Sequence, residues 1–154
     1  MINIQKECHN EVLVLCHVQN GYINEETSLY FLRIKELVET GCFTTILLIR
    51  DYEVDINVPD WMPEDVIVIT SARLACVDSF FRFIKHSKRV FIVGFDTEGA
   101  VLSNAFTLWD NKIQPIILSD YCYSRKGFRA SCAGANVLRL VLGEGSVQWT
   151  ERLK

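Results

Sequence analysis

The sequence predicts a three-layer α/β/α domain built on a mainly parallel sheet of five or six strands. Short continuous apolar runs alternate with helical patterns along the whole chain of 154 residues. Each run has the length and apolar character of a strand buried on both faces. Alternation of this kind gives right-handed crossovers, which place helices on both faces of one sheet. No internal repeat or low-complexity linker interrupts the pattern, so residues 1–154 are interpreted as a single domain.

Five apolar runs are predicted to be the main strands, and a short sixth strand around residues 146–149 is predicted to close the sheet. The five runs are EVLVLC (11–16), TTILLIR (44–50), DVIVIT (65–70), RVFIVG (89–94) and IQPIILS (113–119). In sheets of this kind, ligands bind beyond the carboxyl ends of the strands. The segments that follow the five runs are therefore expected to contain the pocket.

Four helices are predicted between the strands. The first begins near Asn24, a residue type that caps helices, and stops at Gly41. The others cover residues 73–87, 98–110 and about 129–142. On each helix, apolar residues at helical spacing define a face that is predicted to be buried. These faces comprise Tyr30, Ile34, Leu37 and Val38; Val77, Phe80, Phe81 and Ile84; Val101, Ala105, Leu108 and Trp109; and Val137, Leu138, Val141 and Leu142.

The composition predicts a folded protein that binds neither nucleic acid nor a membrane. The chain is 49% hydrophobic and 23% charged, which is sufficient for a substantial core, and its net charge is -3. Its basic residues are scattered, which argues against nucleic acid or an anionic membrane as the main partner. The N-terminus has no apolar run of signal-peptide length, and no stretch approaches the ~18 apolar residues of a membrane span.

The six cysteines are interpreted as free thiols. No pair has CxxC spacing, and the nearest histidines, His9 and His17, do not give zinc-finger spacing. A disulfide framework is not expected in a chain this long with this many apolar residues to bury. Free thiols indicate a reducing compartment, so a cytoplasmic location is expected.

Polar residues follow the predicted strand ends, where the pocket is expected. They are His17, Asn20, Asp51, Glu53, Ser71, Arg73, Asp96, Thr97, Glu98 and Asp120, with Cys122 just after the fifth run. Several also have a structural interpretation. A lone histidine at a strand end is most often a hydrogen-bonded structural group. Thr97 is a helix-cap type, and Glu98 suits the positive end of a helix dipole. Arg73 is interpreted either as a cation of the pocket or as the partner of a carboxylate such as Asp51 or Glu53.

Four segments resemble, in order, those of the isochorismatase-like cysteine hydrolases. They are VLVLCHVQNGYI, ITSARLACV, GFDTEGAVLSNAFTLWDNKIQPIILSD and GSVQWTERL, and the similarity extends from Glu11 to Leu153. The family pattern for the first three reads D-x-Q-N after a strand, K-x-R-x-S-A-F, and G-x-x-T-x-x-C-V. The resemblance implies the family's α/β fold and, because members are generally oligomeric, self-association into a dimer or larger assembly.

The family's catalytic Asp, Lys and Cys are all replaced in this chain. The resemblance places the Asp at His17, the Lys at Ser71 and the Cys at Ala100. The chain is therefore interpreted as a catalytically inactive protein, a pseudoenzyme, that binds a small molecule or a protein partner. One alternative is a hydrolase with a rearranged active site that uses His17 with Cys122 or an activated water. Another is a structural assembly subunit.

Neither a metal nor another cofactor is expected. Some relatives bind a metal through a D-x-H segment after the second strand, and here that segment reads RDYEVD, with Glu53 in place of the histidine. Two carboxylates on a loop, Asp51 and Glu53, are more often solvated than bound to a cation.

The expected self-association is assigned to two helices. Phe83 falls outside the predicted buried face of the 73–87 helix, and the helix after Gly94 begins with small and apolar residues. Both surfaces are therefore predicted to contribute to a homodimer.

Overall fold

A computed structural model describes residues 1–151, which form one parallel sheet of six strands with the order β3-β2-β1-β4-β5-β6. The strands are β1 (Val12–Cys16), β2 (Thr45–Asp51), β3 (Ile67–Ser71), β4 (Arg89–Phe95), β5 (Gln114–Tyr123) and β6 (Val147–Gln148). All five neighbouring pairs are parallel. The predicted fold class is confirmed. The last residues of the family-like tail, Arg152 and Leu153, lie outside the described residues.

The central strands form the core of the domain. Every residue of β1 is buried, as are six of the seven residues of β4. Continuous apolar runs at these positions are required because both faces of a central parallel strand are covered. β3 differs, since none of its five residues is fully buried. The structure therefore contradicts the expectation that all five runs are buried on both faces, because β3 lies at an edge of the sheet.

The helices are α1 (Ile4–Glu7), α2 (Ser28–Glu39), α3 (Phe81–Ile84), α4 (Leu102–Asp110) and α5 (Phe128–Leu142). No helix within residues 1–151 is long and apolar enough to cross a membrane. At the start of α2, Asn24 Oδ1 accepts from the Thr27 amide and Thr27 Oγ1 accepts from the Asn24 amide, each at 2.9 Å. The helix therefore begins three residues later than the predicted cap would place it. Gly41 follows α2 with a φ of 66°, as a helix stop requires.

The prediction of a helix over residues 73–87 holds only for residues 77–84. A 3-10 turn (Val77–Phe80) and the single turn of α3 are helical there. The amides of Cys76 and Val77 instead bond to the side chain of Asn104 on α4. That contact between distant parts of the chain holds the start of the segment in a non-helical conformation.

Two predicted helix faces are partly wrong. On α5, Leu138 and Leu142 are buried, whereas Val137 and Val141 are 40% and 61% exposed. Each pair is four residues apart, but the two pairs are offset by one position, which turns one of them toward solvent. On α4, Trp109 is exposed for the same reason, because its neighbour Leu108 occupies the buried position.

The fifth strand is longer than predicted and includes Cys122. A register irregularity between β4 and β5 precedes the pairing of Gly94 with Cys122. Gly94 has a φ of 118°, and a Cβ atom there would lie 2.1 Å from the carbonyl oxygen of Cys16. Glycine is therefore required where β4 passes β1. The prediction that Cys122 lies in a loop is wrong.

Candidate functional site

The carboxyl ends of the central strands bring several predicted residues to one edge of the sheet. His17 follows β1 directly, Asp51 ends β2, Ser71 ends β3 and Asp96 follows β4. Arg125, in the loop after β5, reaches back to the same edge. The parallel topology therefore places the candidate site where open α/β sheets bind their ligands.

His17 is enclosed and neutral. Its backbone has a φ of 53°, its side chain is 2% exposed, and its ring lies 4.8 Å from the ring of Tyr22. Burial lowers the pKa of His17 to about 4, although the carboxylates of Asp51 and Asp96 oppose the change. Its Nε2 atom has no hydrogen-bond partner among the described residues. The interpretation of His17 as a hydrogen-bonded structural group is therefore wrong for this atom.

Asp51 is engaged by its own chain. Tyr22 donates its hydroxyl to Asp51 Oδ2 at 2.8 Å, and the Glu53 amide donates to Asp51 Oδ1 at 3.0 Å. The side chain of Gln19 bonds to both the amide and the carbonyl of Asp51, at 2.7 and 2.8 Å. Within residues 1–151, no group of three or more His, Cys, Asp or Glu side chains is arranged to hold a metal ion.

Arg125 covers the carboxyl edge from the side of β5. Its guanidinium pairs with Asp96 Oδ2 at 3.1 Å and lies 3.7 Å from the ring centroid of Tyr22. Its amide also donates to Asp96 Oδ1 at 2.9 Å. Since the same tyrosine ring packs against His17, Arg125 and Tyr22 together separate the imidazole from solvent.

The position of Ala100 is packed rather than open. Ala100 lies in a π-helical turn (Thr97–Val101) and is 1% exposed. Asn104 Nδ2 donates to the carbonyls of Ala100 and Leu74, each at 2.8 Å. Its Oδ1 accepts from the Cys76 and Val77 amides, each at 2.9 Å. Asn104 therefore fixes the segment after β3 onto the turn that carries Ala100.

Thr97 and Glu98 make contacts on the opposite side of the turn. Thr97 Oγ1 lies 2.8 Å from Ser131 Oγ on α5, and Glu98 Oε1 accepts from Ser124 Oγ at 2.6 Å. Glu98 Oε2 is buried and has no hydrogen-bond partner in the described part of the chain. No side chain caps the turn. Both residues thus bind α5 and the loop before it, and the capping interpretation of Thr97 is wrong.

The remaining predicted residues lie at the rim or away from it. Asn20 is exposed and its amide donates to the Asn57 carbonyl. Ser71 Oγ accepts from the Arg73 amide at 3.0 Å. The guanidinium of Arg73 lies 3.7 Å from Asp78, so the alternative in which Arg73 pairs with Asp51 is wrong. Within residues 1–151, none of these three side chains forms a hydrogen bond with His17.

All six cysteines are free. Cys16, Cys76 and Cys122 are buried, and burial raises the pKa of each thiol. For Cys122 the pKa rises to about 12, and its Sγ lies 3.9 Å from the Ile92 carbonyl. These thiols therefore remain protonated near neutral pH.

The sequence interpretation missed a cavity of about 150 Å³ between α2, β5 and α5. Its lining includes Tyr30, Arg33, Tyr123, Phe128, Arg139 and Trp149. The rings of Tyr30 and Tyr123 stack with centroids 4.5 Å apart, and the Arg33 guanidinium lies 5.0 Å from the Tyr30 ring. Tyr123 and Phe128, in the basic and aromatic segment 121–129, were a signal, but the contribution of α2 depends on the packing of distant elements.

Comparison with solved structures identifies the fold. An isochorismatase-like hydrolase from Alkaliphilus metalliredigens superposes with a TM-score of 0.73 at 17% identity, covering 90% of this chain and 94% of that one. A pyrazinamidase/nicotinamidase from Streptococcus mutans gives 0.74 at 11% identity, with 90% and 99% covered. MAR1 ribonuclease from Caenorhabditis elegans gives 0.74 at 17% identity, with 97% and 79% covered.

This chain therefore has the fold of the isochorismatase-like hydrolases and nicotinamidases, as its motifs predict. No family model matches the sequence, and no curated protein matches it significantly. Identities this low establish the shared architecture alone.

Proposed function

We propose that this protein is a non-catalytic member of the isochorismatase-like fold class that acts by binding a small molecule. The observation that carries the proposal is Ala100. The family's nucleophile aligns with this residue, which has no reactive group and is 1% exposed. The positions that align with the family's Asp and Lys hold His17 and Ser71, so no member of the triad is present.

The nearby thiols are poor substitutes for the missing nucleophile. A cysteine attacks as its thiolate, and burial raises the pKa values of Cys16, Cys76 and Cys122. Cys122 Sγ faces the Ile92 carbonyl, whereas the His17 ring faces Tyr22. A rearranged pair of His17 and Cys122 would need both side chains to change partners.

The cavity between α2, β5 and α5 offers the better binding site. A volume of about 150 Å³ matches a single six-membered ring. Arg33 and Arg139 line it together with several aromatic side chains. The carboxylate of Asp120, also in the lining, is already bonded to the amide and hydroxyl of Thr150. Aromatic walls and two guanidinium groups fit a single-ring aromatic carboxylate.

Steady-state assays at high protein concentration test the absence of catalysis. We expect no hydrolysis of nicotinamide or isochorismate, because within residues 1–151 the three positions that align with the catalytic Asp, Lys and Cys hold His17, Ser71 and Ala100. Turnover that copurifies with the protein and disappears in His17→Ala would contradict the proposal and favour the rearranged site.

Calorimetric titration tests the binding site, with benzoate, benzamide and acetate as probes. Benzoate should bind about tenfold more tightly than the other two, because only benzoate has both a ring and a charge. Arg139→Gln should remove this preference. Arg82→Gln is the control, since Arg82 is exposed and stacks on Phe83. Equal affinity for benzoate and benzamide, or no effect of Arg139→Gln, would exclude this cavity as an anion site.

A further inference from the structure

The outer edge of β3 is exposed and apolar. Within residues 1–151, β3 (Ile67–Ser71) lies at the end of the sheet with β2 as its one neighbour. Val68 is 40% exposed, Thr70 is exposed, and Ile67 and Ile69 are only partly buried. The connection from β2 to β3 contains no helix that could cover this edge.

Features that usually protect a strand edge are missing here. Proteins prevent edge pairing with charged side chains, proline, bulges or a covering element. The seven residues of segment 66–72, VIVITSA, contain no charge, proline or glycine. The sequence is that of a buried strand, and an exposed strand of this kind readily pairs with another chain.

We propose that β3 is the interface of a homodimer, in which two copies pair antiparallel about a two-fold axis through Ile69. Residues equidistant from Ile69 then lie opposite each other across the interface. Val68 faces Thr70 of the second copy. Asp65 and Arg73 lie two residues beyond the two ends of β3, so Asp65 of one copy and Arg73 of the other come together at each end of the paired strands. The two sheets become one continuous sheet of twelve strands.

Charge complementarity selects both the partner and the register. In antiparallel pairs, opposite side chains share a face, so shifts that preserve the two-fold axis move in steps of two residues. One such step would place Asp65 opposite Ser71, and the other would place Ile67 opposite Arg73. Pairing about Ile69, the midpoint of β3, alone joins two opposite charges at each end and leaves only uncharged residues between them.

The charged groups are available for this exchange. Arg73 lies 3.7 Å from Asp78, and their side chains are 64% and 46% exposed. An exposed pair at this distance contributes little to stability and can be replaced by a contact with a second copy. Because the strand is short, the buried area falls below that of a standard interface, so a dissociation constant in the micromolar range is expected.

This interface differs from the two helical surfaces that the sequence predicts. α3 is a single turn. One face of the Phe83 ring is stacked by the Arg82 guanidinium, whose Cζ lies 4.6 Å from the ring centroid. A second exposed apolar surface is the stripe of Val137, Leu140 and Val141 on α5. Nothing in the structure indicates what covers that stripe, so it serves as the control surface.

Sedimentation velocity over a concentration series tests the proposal. The wild-type chain should shift from a 17.7 kDa monomer toward a dimer. Val68→Lys should weaken the dimer at least tenfold, because two lysines would lie beside the axis. Leu140→Glu, at a position 85% exposed on α5, should leave the dimer unchanged. Circular dichroism confirms that each variant is folded.

A charge swap gives the sharper test. Asp65→Arg and Arg73→Asp should each weaken the dimer, and the double variant should restore it toward wild type. Asp60→Arg controls for net charge and should have little effect. A wild-type chain that stays monomeric at high concentration would overturn the proposal. It would also be overturned by a dimer that Val68→Lys leaves intact, or one that Leu140→Glu dissociates. Failure here would leave the cavity proposal untouched, since the two sites share no residue.

Discussion

At the scale of single residues, the backbone conformation and the burial of His17 together determine the protonation state of its side chain. Its left-handed φ of 53° is a conformation that histidine, asparagine and aspartate tolerate better than most residues. The turn directs the ring toward Tyr22, and Arg125 closes over the tyrosine. The result is a neutral imidazole where the family-like motif would place a carboxylate.

The depressed pKa of His17 makes stability depend on pH. The pKa is about 4 in the folded protein and 6.5 in the reference state. Between these values the unfolded chain binds the extra proton, so the free energy of unfolding falls as the pH drops. The stabilisation is fully present above about pH 6.5, and about 2 kcal/mol of it is lost at about pH 5. His17→Asn, which keeps a residue type suited to the turn, should reduce the loss by that amount.

Urea denaturation at about pH 7.5 and about pH 5 measures the effect. His86→Asn is the control, because His86 is exposed and its replacement should leave the difference between the two pH values unchanged. If His17→Asn loses as much stability on acidification as the wild type, the imidazole is not held neutral in the folded chain.

The strand ends that carry the candidate site could be predicted from sequence, but the contacts of their side chains could not. Motif spacing correctly indicated that Ala100 lies in the helical turn after β4. Asn104 was not recognised, although its side chain makes four hydrogen bonds, three of them buried, to Leu74, Cys76, Val77 and Ala100. An asparagine on a helix carries no local signal that it will bond to a segment about 30 residues away. Arg125 was missed as the cover of His17 for the same reason.

At the scale of elements, the strands were predictable because short continuous apolar runs are typical of strands in a parallel sheet. The five runs became β1 to β5, with errors of a few residues at the ends. The helix predicted over residues 73–87 forms only over residues 77–84, because the Asn104 side chain accepts hydrogen bonds from the Cys76 and Val77 amides near the predicted start. Local pattern determines which residues face the core, but distant contacts decide whether a short segment is helical.

β3 is the strand whose observed burial differs most from the burial that its sequence predicts. Its apolar run predicts a strand covered on both faces, yet its residues are half-exposed at an edge. The apolar sequence correctly indicates that these side chains favour burial, but it does not indicate which surface would bury them. Pairing with a second copy would satisfy that preference and remove an aggregation-prone edge.

At the scale of the whole molecule, the two ends of the chain close the sheet together. Ile2 forms a parallel bridge with Thr150 beyond β6. The Ile2 amide donates to the Trp149 carbonyl at 2.7 Å, and the Glu151 amide donates to the Ile2 carbonyl at 2.9 Å. Asp120 on β5 then accepts from the Thr150 amide. The N-terminus thus extends the edge of the sheet opposite β3.

Because the two ends are bonded to each other, we expect a substitution at the N-terminus to alter hydrogen exchange at the C-terminus. The side chain of Ile2 is 6% exposed, so Ile2→Ala should lower the free energy of unfolding by about 2 kcal/mol, through lost burial and a small cavity. The amide of Glu151 should also exchange its hydrogen faster, because its acceptor is the Ile2 carbonyl. Gln5→Ala, at an exposed position in α1, should change neither quantity. Hydrogen exchange and urea denaturation measure the two effects separately. Unchanged protection of Glu151 in Ile2→Ala would mean that the C-terminal segment is held by Asp120 alone, and that the two ends are stabilised independently.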